Sequence, residues 1–222
     1  MTRTELIAGF SYMAFQLVLL PYLLVRLNLI LGFPLTDAQL NFVFFALDFI
    51  CITVIFHRFL ILSGKNALRR PFLCLRAAFL GLLLYWILSF GVNMLIVIIS
   101  PDFFNVNDTS IMELTAQNYT LMAIGTVLLV PVVEETLYRG IIFRGLYNSN
   151  PASAYIVSAL LFSALHVFSY IGMYPPVQLL LCALQYIPAG LCLGWAYVKA
   201  DSIWAPILMH ITINQIGILS MR

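Results

Sequence analysis

Seven long apolar stretches are separated by short polar connections along this chain, near residues 5–31, 40–62, 73–99, 120–146, 152–171, 177–199 and 202–221. Most are about 20 residues or longer, the length of helix that crosses a bilayer's hydrocarbon. The pattern predicts an all-α, polytopic transmembrane helical bundle of about seven spans. The longest polar connection, Ser100 to Tyr119, carries Pro101, Asp102, Asn105, Asn107 and Asp108, residues that favour turns, and reads as a surface loop. It divides three N-terminal spans (residues 1–100) from a C-terminal four-helix unit (residues 120–222). The apolar run that follows Arg3 continues to Leu31 without a small-residue cleavage site, so it reads as a retained span rather than a signal peptide.

Composition agrees with the pattern. Of 222 residues, 63% are hydrophobic and 9% charged, against about 25% charged in soluble domains. Such a chain is an integral, multi-pass membrane protein, its main partner is the lipid bilayer, and nucleic-acid binding is not expected. The four cysteines stand singly in apolar runs and suggest neither a disulfide framework nor a thiolate metal site. Basic residues set the expected orientation. Arg58, Lys65, Arg69, Arg70 and Arg76 surround the second connection, which places it, and with it the N-terminus, in the cytoplasm. Residues 101–119 then form an extracytoplasmic loop, and only Arg26 and Arg222 fall on that side.

Against this background a few polar residues are conspicuous. Glu134, Glu135 and Arg139 lie inside the run Leu121–Leu146, where an ionised group costs at least a few kcal/mol. Glu135 and Arg139 are spaced i,i+4 with the acid first, the favourable order for an ion pair on one helix. Glu134 points about 100° away and needs a partner elsewhere. Two further i,i+4 pairs follow: Phe162 with His166, and His210 with Asn214, each on one helix face. Counted along the spans, Glu134, His166, His210 and Asn214 come within about 10 Å of mid-membrane depth. They are expected to surround one water-filled cavity. A carboxylate beside an imidazole can deprotonate water, and a second imidazole with an amide can donate to an oxyanion. That combination hydrolyses acyl compounds, most simply peptides, with Glu135 and Arg139 in support.

Other polar residues read differently. Asp48, an acid within the second span, is expected to be held by a hydrogen bond, with Asn93 as a candidate donor. A zinc site built from Glu134, His166 and His210 is the competing chemistry. The HExxH helix signature is absent, and no cofactor or metal is expected.

The ordered set Glu134-Glu135-xxx-Arg139, Phe162-xxx-His166 and His210-xxx-Asn214 resembles the CAAX protease and bacteriocin-processing (CPBP, or Abi) family of intramembrane proteases, related to the type II CAAX prenyl endopeptidases. The resemblance covers about 100 residues, from the fourth span to the C-terminus; residues 1–100 carry no matching motif. It implies a glutamate-type endopeptidase core in residues 120–222. Glu134 and His166 would activate water, and His210 and Asn214 would form the oxyanion site. It also implies a membrane-embedded or membrane-associated peptide or protein substrate, and for so compact a chain, the bacterial cytoplasmic membrane. A non-catalytic scaffold or bacteriocin-immunity protein that keeps the same core is the alternative.

Overall fold

A computed structural model of the chain describes residues 1–32 and 34–221; Phe33 and the expected outward-facing Arg222 lie outside the described residues. Among the described residues, nine helices follow in chain order: α1 (Arg3–Ile30), α2 (Asp37–Ile55), α3 (His57–Arg69), α4 (Pro71–Ile99), α5 (Val106–Gln117), α6 (Tyr119–Tyr147), α7 (Pro151–Phe168), α8 (Pro176–Ala200) and α9 (Trp204–Ser220). Six of them (α1, α2, α4, α6, α7 and α8) are long and apolar enough to cross a membrane. The seventh expected span is α9, whose 17 residues reach about 25 Å at 1.5 Å per residue, the lower limit for spanning. The protein is an all-α integral membrane bundle.

Local chemistry explains where the helices begin. Thr2 and Glu5 form a reciprocal capping box at α1, and Thr36 and Gln39 form another at α2. Asn105 and Asn150 cap α5 and α7 with their side-chain carbonyls. The turn between α8 and α9 is closed by Asp201 at φ +49°, a left-handed conformation that a short polar side chain tolerates.

Two expected boundaries move. The stretch read as one span, residues 40–62, is broken at Phe56, whose side chain is fully buried. Beyond the break, α3 is a separate helix that buries Phe59, Leu60 and Ser63 on one face. Ser63 anchors it across the fold: its hydroxyl accepts the Ile203 N–H at 2.8 Å, and the Ser202 hydroxyl donates to its carbonyl at 2.9 Å. The connection read as a surface loop is also largely helical. Its α5 packs against α2, α7 and α8 because Val106 and Thr115 are buried there.

The bundle has an axis and a rim. In α6, 56% of the most apolar window is buried inside the protein, and in α8, 50%; in α4 only 6% is. Thus α6 and α8 form the centre, and α4 turns its apolar surface outward. Close contact at the centre depends on Gly190 of α8, where a Cβ would fall 2.7 Å from the Cα of Ala159 on α7. Helix α6 also departs from regular α geometry, with π-helical turns at Ile124–Leu129 and Thr136–Phe143 on either side of an α-helical turn, Val130–Glu135. Pro131 removes one backbone donor at that point, and wide turns of this kind are frequent at functional sites.

Candidate active site

The site is assembled on α6. Glu135 and Arg139 are both completely buried and form the expected ion pair, Arg139 donating to Glu135 Oε1 at 3.0 Å. The pair is not isolated. The other guanidinium arm donates to the Gly190 carbonyl of α8 at 3.1 Å, and the guanidinium carbon stands 4.5 Å from the centre of the Phe162 ring. One charge therefore ties α6 to α7 and α8 at once.

Glu135 does a second job. Its Oε1 also accepts from His210 Nδ1 at 2.9 Å, which orients the imidazole of α9. The opposite nitrogen of that ring, Nε2, faces Glu134 Oε2 at 3.9 Å. Glu134 Oε2 is buried and has no hydrogen-bond partner among the described residues. The second carboxylate thus meets its partner across the fold, and the imidazole within 4 Å of it is His210.

His166 approaches from α7. Its Nδ1 lies 2.8 Å from the Phe162 carbonyl one turn back. A carbonyl can only accept, so Nδ1 carries the hydrogen, and Nε2 of the neutral ring is left as an acceptor. The ring stacks on Tyr186 of α8 at 4.0 Å between centroids and 23° between planes. Asn214, one turn beyond His210, donates from Nδ2 to the Thr126 carbonyl at 2.8 Å. That carbonyl lies in the π-helical stretch preceding Pro131. One amide hydrogen is used there, and the second remains.

Glu134, His166, His210 and Asn214 all line one cavity of about 410 Å³. Glu135 and Arg139 lie behind it and hold His210 and Phe162. Phe162 is the hinge of the arrangement. Beyond carrying the guanidinium on one face, it meets Tyr138 edge-on at 5.7 Å, His166 at 4.7 Å and His210 at 5.8 Å. Among the described residues no three His, Cys, Asp or Glu side chains converge as ligands would around a metal ion.

Sequence reasoning missed the far wall of the cavity. Asn105, Asn107 and Asp108, read as loop residues, line it together with Gln185 and Tyr186 of α8. The Tyr186 hydroxyl donates to Asp108 at 3.0 Å and accepts from Asn107 at 3.0 Å. The Asn105 amide donates to Gln185, which donates in turn to Asn93 of α4. Burial pushes the Asp108 carboxyl above its ordinary value, although the Tyr186 hydroxyl and His166 favour its charged form. A polar helix first turn after an Asn cap was the available signal for α5. Nothing in the sequence paired it with Tyr186. Asn93 is thereby committed to Gln185, and the acid it was expected to hold, Asp48, instead accepts from Tyr12 of α1 at 2.5 Å. Tyr12 and Asp48 are 36 residues apart, and only the packing of α1 on α2 joins them.

The chain's C-terminal part is similar to known proteins. Residues 116–216 match the model of the Rce1-like family, type II CAAX prenyl endopeptidase Rce1-like. The matched segment contains all six of Glu134, Glu135, Arg139, His166, His210 and Asn214. The chain is also similar to a protein of Bacillus subtilis (strain 168) named "Putative membrane peptidase YdiL", with 28% identity over 104 residues, 46% of this chain and 38% of that protein. The similarity thus spans less than two fifths of the relative's length. No solved structure matches.

Proposed function

We propose that this protein is an intramembrane endopeptidase in which Glu134 and His166 activate a water molecule against a peptide carbonyl. The carrying observation is a cavity on which a carboxylate oxygen without a hydrogen-bond partner among the described residues, two imidazoles and a carboxamide converge. The match of residues 116–216 to the Rce1-like family model and the similarity to a protein named as a membrane peptidase support the reading.

The chemistry follows from the hydrogen bonds. Glu134 takes a proton from water as the oxygen attacks the carbonyl carbon, with His166 Nε2 holding the water's other hydrogen. The carbonyl oxygen gains charge and is met by the second Nδ2 hydrogen of Asn214 and by Nε2 of His210. With Nδ1 already donating to Glu135, His210 can donate from Nε2 only when both nitrogens are protonated. Collapse of the tetrahedral intermediate breaks the C–N bond, and the proton held by Glu134 passes to the leaving amine. Glu135 acts through His210, and Arg139 acts by fixing Glu135, Phe162 and the backbone of α8. The substrate is a membrane-embedded or membrane-associated peptide or protein. The basic residues around α3 favour a cytoplasmic face for that end of the bundle, with the N-terminus on the same side.

The test uses purified protein reconstituted in liposomes with a pool of membrane peptides, new chain termini being read by mass spectrometry. Termini should appear with the wild type and disappear with Glu134→Ala and His166→Ala, both variants still accumulating in the membrane. The same termini from Glu134→Ala, or none from the wild type, would refute the proposal and favour a scaffold.

A further inference from the structure

A second, smaller chamber adjoins the active-site cavity at Glu134. It has a volume of about 80 Å³ and is walled by Gln16 and Leu17 of α1, Phe44, Phe45 and Asp48 of α2, and Val130, Val133 and Glu134 of α6, with Leu165 of α7. Glu134 lines both this chamber and the active-site cavity.

Its polar groups are unusual for an N-terminal bundle. Gln16 is 6% exposed, and its Oε1 has no hydrogen-bond partner among the described residues. Asp48 is 5% exposed and accepts from the Tyr12 hydroxyl. The backbone of α1 widens into a π-helical turn, Phe15–Leu19, at this point, a distortion often found where a helix serves a site. A carboxamide and a carboxylate buried inside a membrane-spanning bundle are costly unless their polar atoms are satisfied. Buried polar groups of this kind are normally completed by ordered water, and about 10–15 Å³ of such space suffices for one molecule. The chamber has room for several.

We infer that Gln16 and Asp48, the latter held by the Tyr12 hydroxyl, form a water-holding chamber that supplies the hydrolytic water to Glu134 from outside the substrate cavity. The supply role rests on the protease reading; the occupancy of the chamber by water does not. Peptide hydrolysis consumes one water per bond cut, and a substrate seated in the larger cavity excludes solvent from that side. Water held against Gln16 and Asp48 reaches Glu134 without crossing the substrate. No proton is gained or lost in this step: one intact water moves from the chamber to the carboxylate. Gln16 and Asp48 are positioning residues, since they act on the water and not on the scissile bond. The N-terminal spans thereby acquire a role in the reaction although they carry none of the family's motif residues.

X-ray radiolytic labelling of liposome-reconstituted protein tests occupancy directly, because radicals generated from bound water oxidise the side chains beside it. Leu17 in the chamber wall and Leu19, lipid-facing and on the same π-helical turn, form an internal comparison of identical side chains. Leu17 should be oxidised several-fold faster than Leu19, and Gln16→Met, which keeps the volume but removes the amide, should bring the two rates together. Asp48→Asn provides a second, gentler variant should Gln16→Met fail to fold. Equal labelling of Leu17 and Leu19 in the wild type would overturn the inference. In the activity arm, Gln16→Met should lower kcat about tenfold or more with KM unchanged, the size of loss expected when a supporting group around a reacting one is removed. Faster Leu17 labelling with kcat unaffected would overturn the supply role. Labelling as expected but no proteolysis by the wild type would overturn the protease reading and the supply role with it, leaving the chamber wet.

Discussion

Replacing Arg139 with alanine is the sharpest test of how the site is held. The side chain is entirely buried and makes three separate attachments: to Glu135 Oε1 at 3.0 Å, to the Gly190 carbonyl at 3.1 Å and to the face of Phe162 at 4.5 Å. Removing one member of a buried ion pair typically costs about 3–5 kcal/mol, because the other charge is left unpaired. His210 still donates to Glu135 at 2.9 Å, which moderates that loss. The cation–π contact, worth roughly 0.5–2 kcal/mol, is lost in addition, so the net expectation stays within about 3–5 kcal/mol. At about 2–4 °C per kcal/mol for a chain of this size, the Tm in detergent should fall by roughly 6–20 °C, read by intrinsic fluorescence. Arg139→Lys keeps the charge, but an ammonium cannot serve two acceptors in the geometry of a planar fork and lie flat on a ring, so its loss should be smaller but clear. The swapped variant Glu135→Arg with Arg139→Glu should not recover, since it sets a cation against His210 and a carboxylate against the Gly190 carbonyl. An unchanged Tm in Arg139→Ala, or full recovery by the swap, would refute the view that this charge joins three helices.

Other consequences follow for function. Asn214→Ala should lower kcat by about 100- to 1000-fold, the usual loss of an oxyanion donor, with KM little changed; a rise in KM at constant kcat would make Asn214 a substrate-binding group. Activity should survive exhaustive chelation, with zinc clearly below one per chain by elemental analysis; activity that tracks a single bound zinc would recast Glu134, His166 and His210 as ligands. For Asp108, burial raises the folded-state value above that of the unfolded chain. Its ionisation therefore destabilises the fold, fully above the folded value and not at all below the ordinary carboxylate value. The wild-type Tm should accordingly gain on that of Asp108→Asn as pH is lowered from neutrality through the carboxylate range, and parallel Tm curves for the two proteins would contradict this.

The spacing of polar residues along single helices was legible in the sequence because it is a property of one helix. Glu135 and Arg139 pair one turn apart whatever surrounds them, and His166 reaches back to the Phe162 carbonyl over the same interval. The apolar run lengths likewise announced a membrane bundle, and three i,i+4 pairs in the fourth, fifth and seventh spans were enough to suggest the family. Tertiary structure alone decided who meets whom between helices. It seated His210 Nδ1 on Glu135, tied Asn214 to the Thr126 carbonyl, gave Asp48 to Tyr12 instead of Asn93, and brought Tyr186 and the helix α5 to His166. It also broke the second apolar stretch at Phe56 so that Ser63 could receive the start of α9. The physical reason is that apolar residues are equally content against lipid and against protein, so hydropathy cannot tell which face of a span turns inward. That choice depends on close approach at small residues such as Gly190 and on satisfying buried polar groups across 50 to 140 residues of chain, and neither is a local property of the sequence.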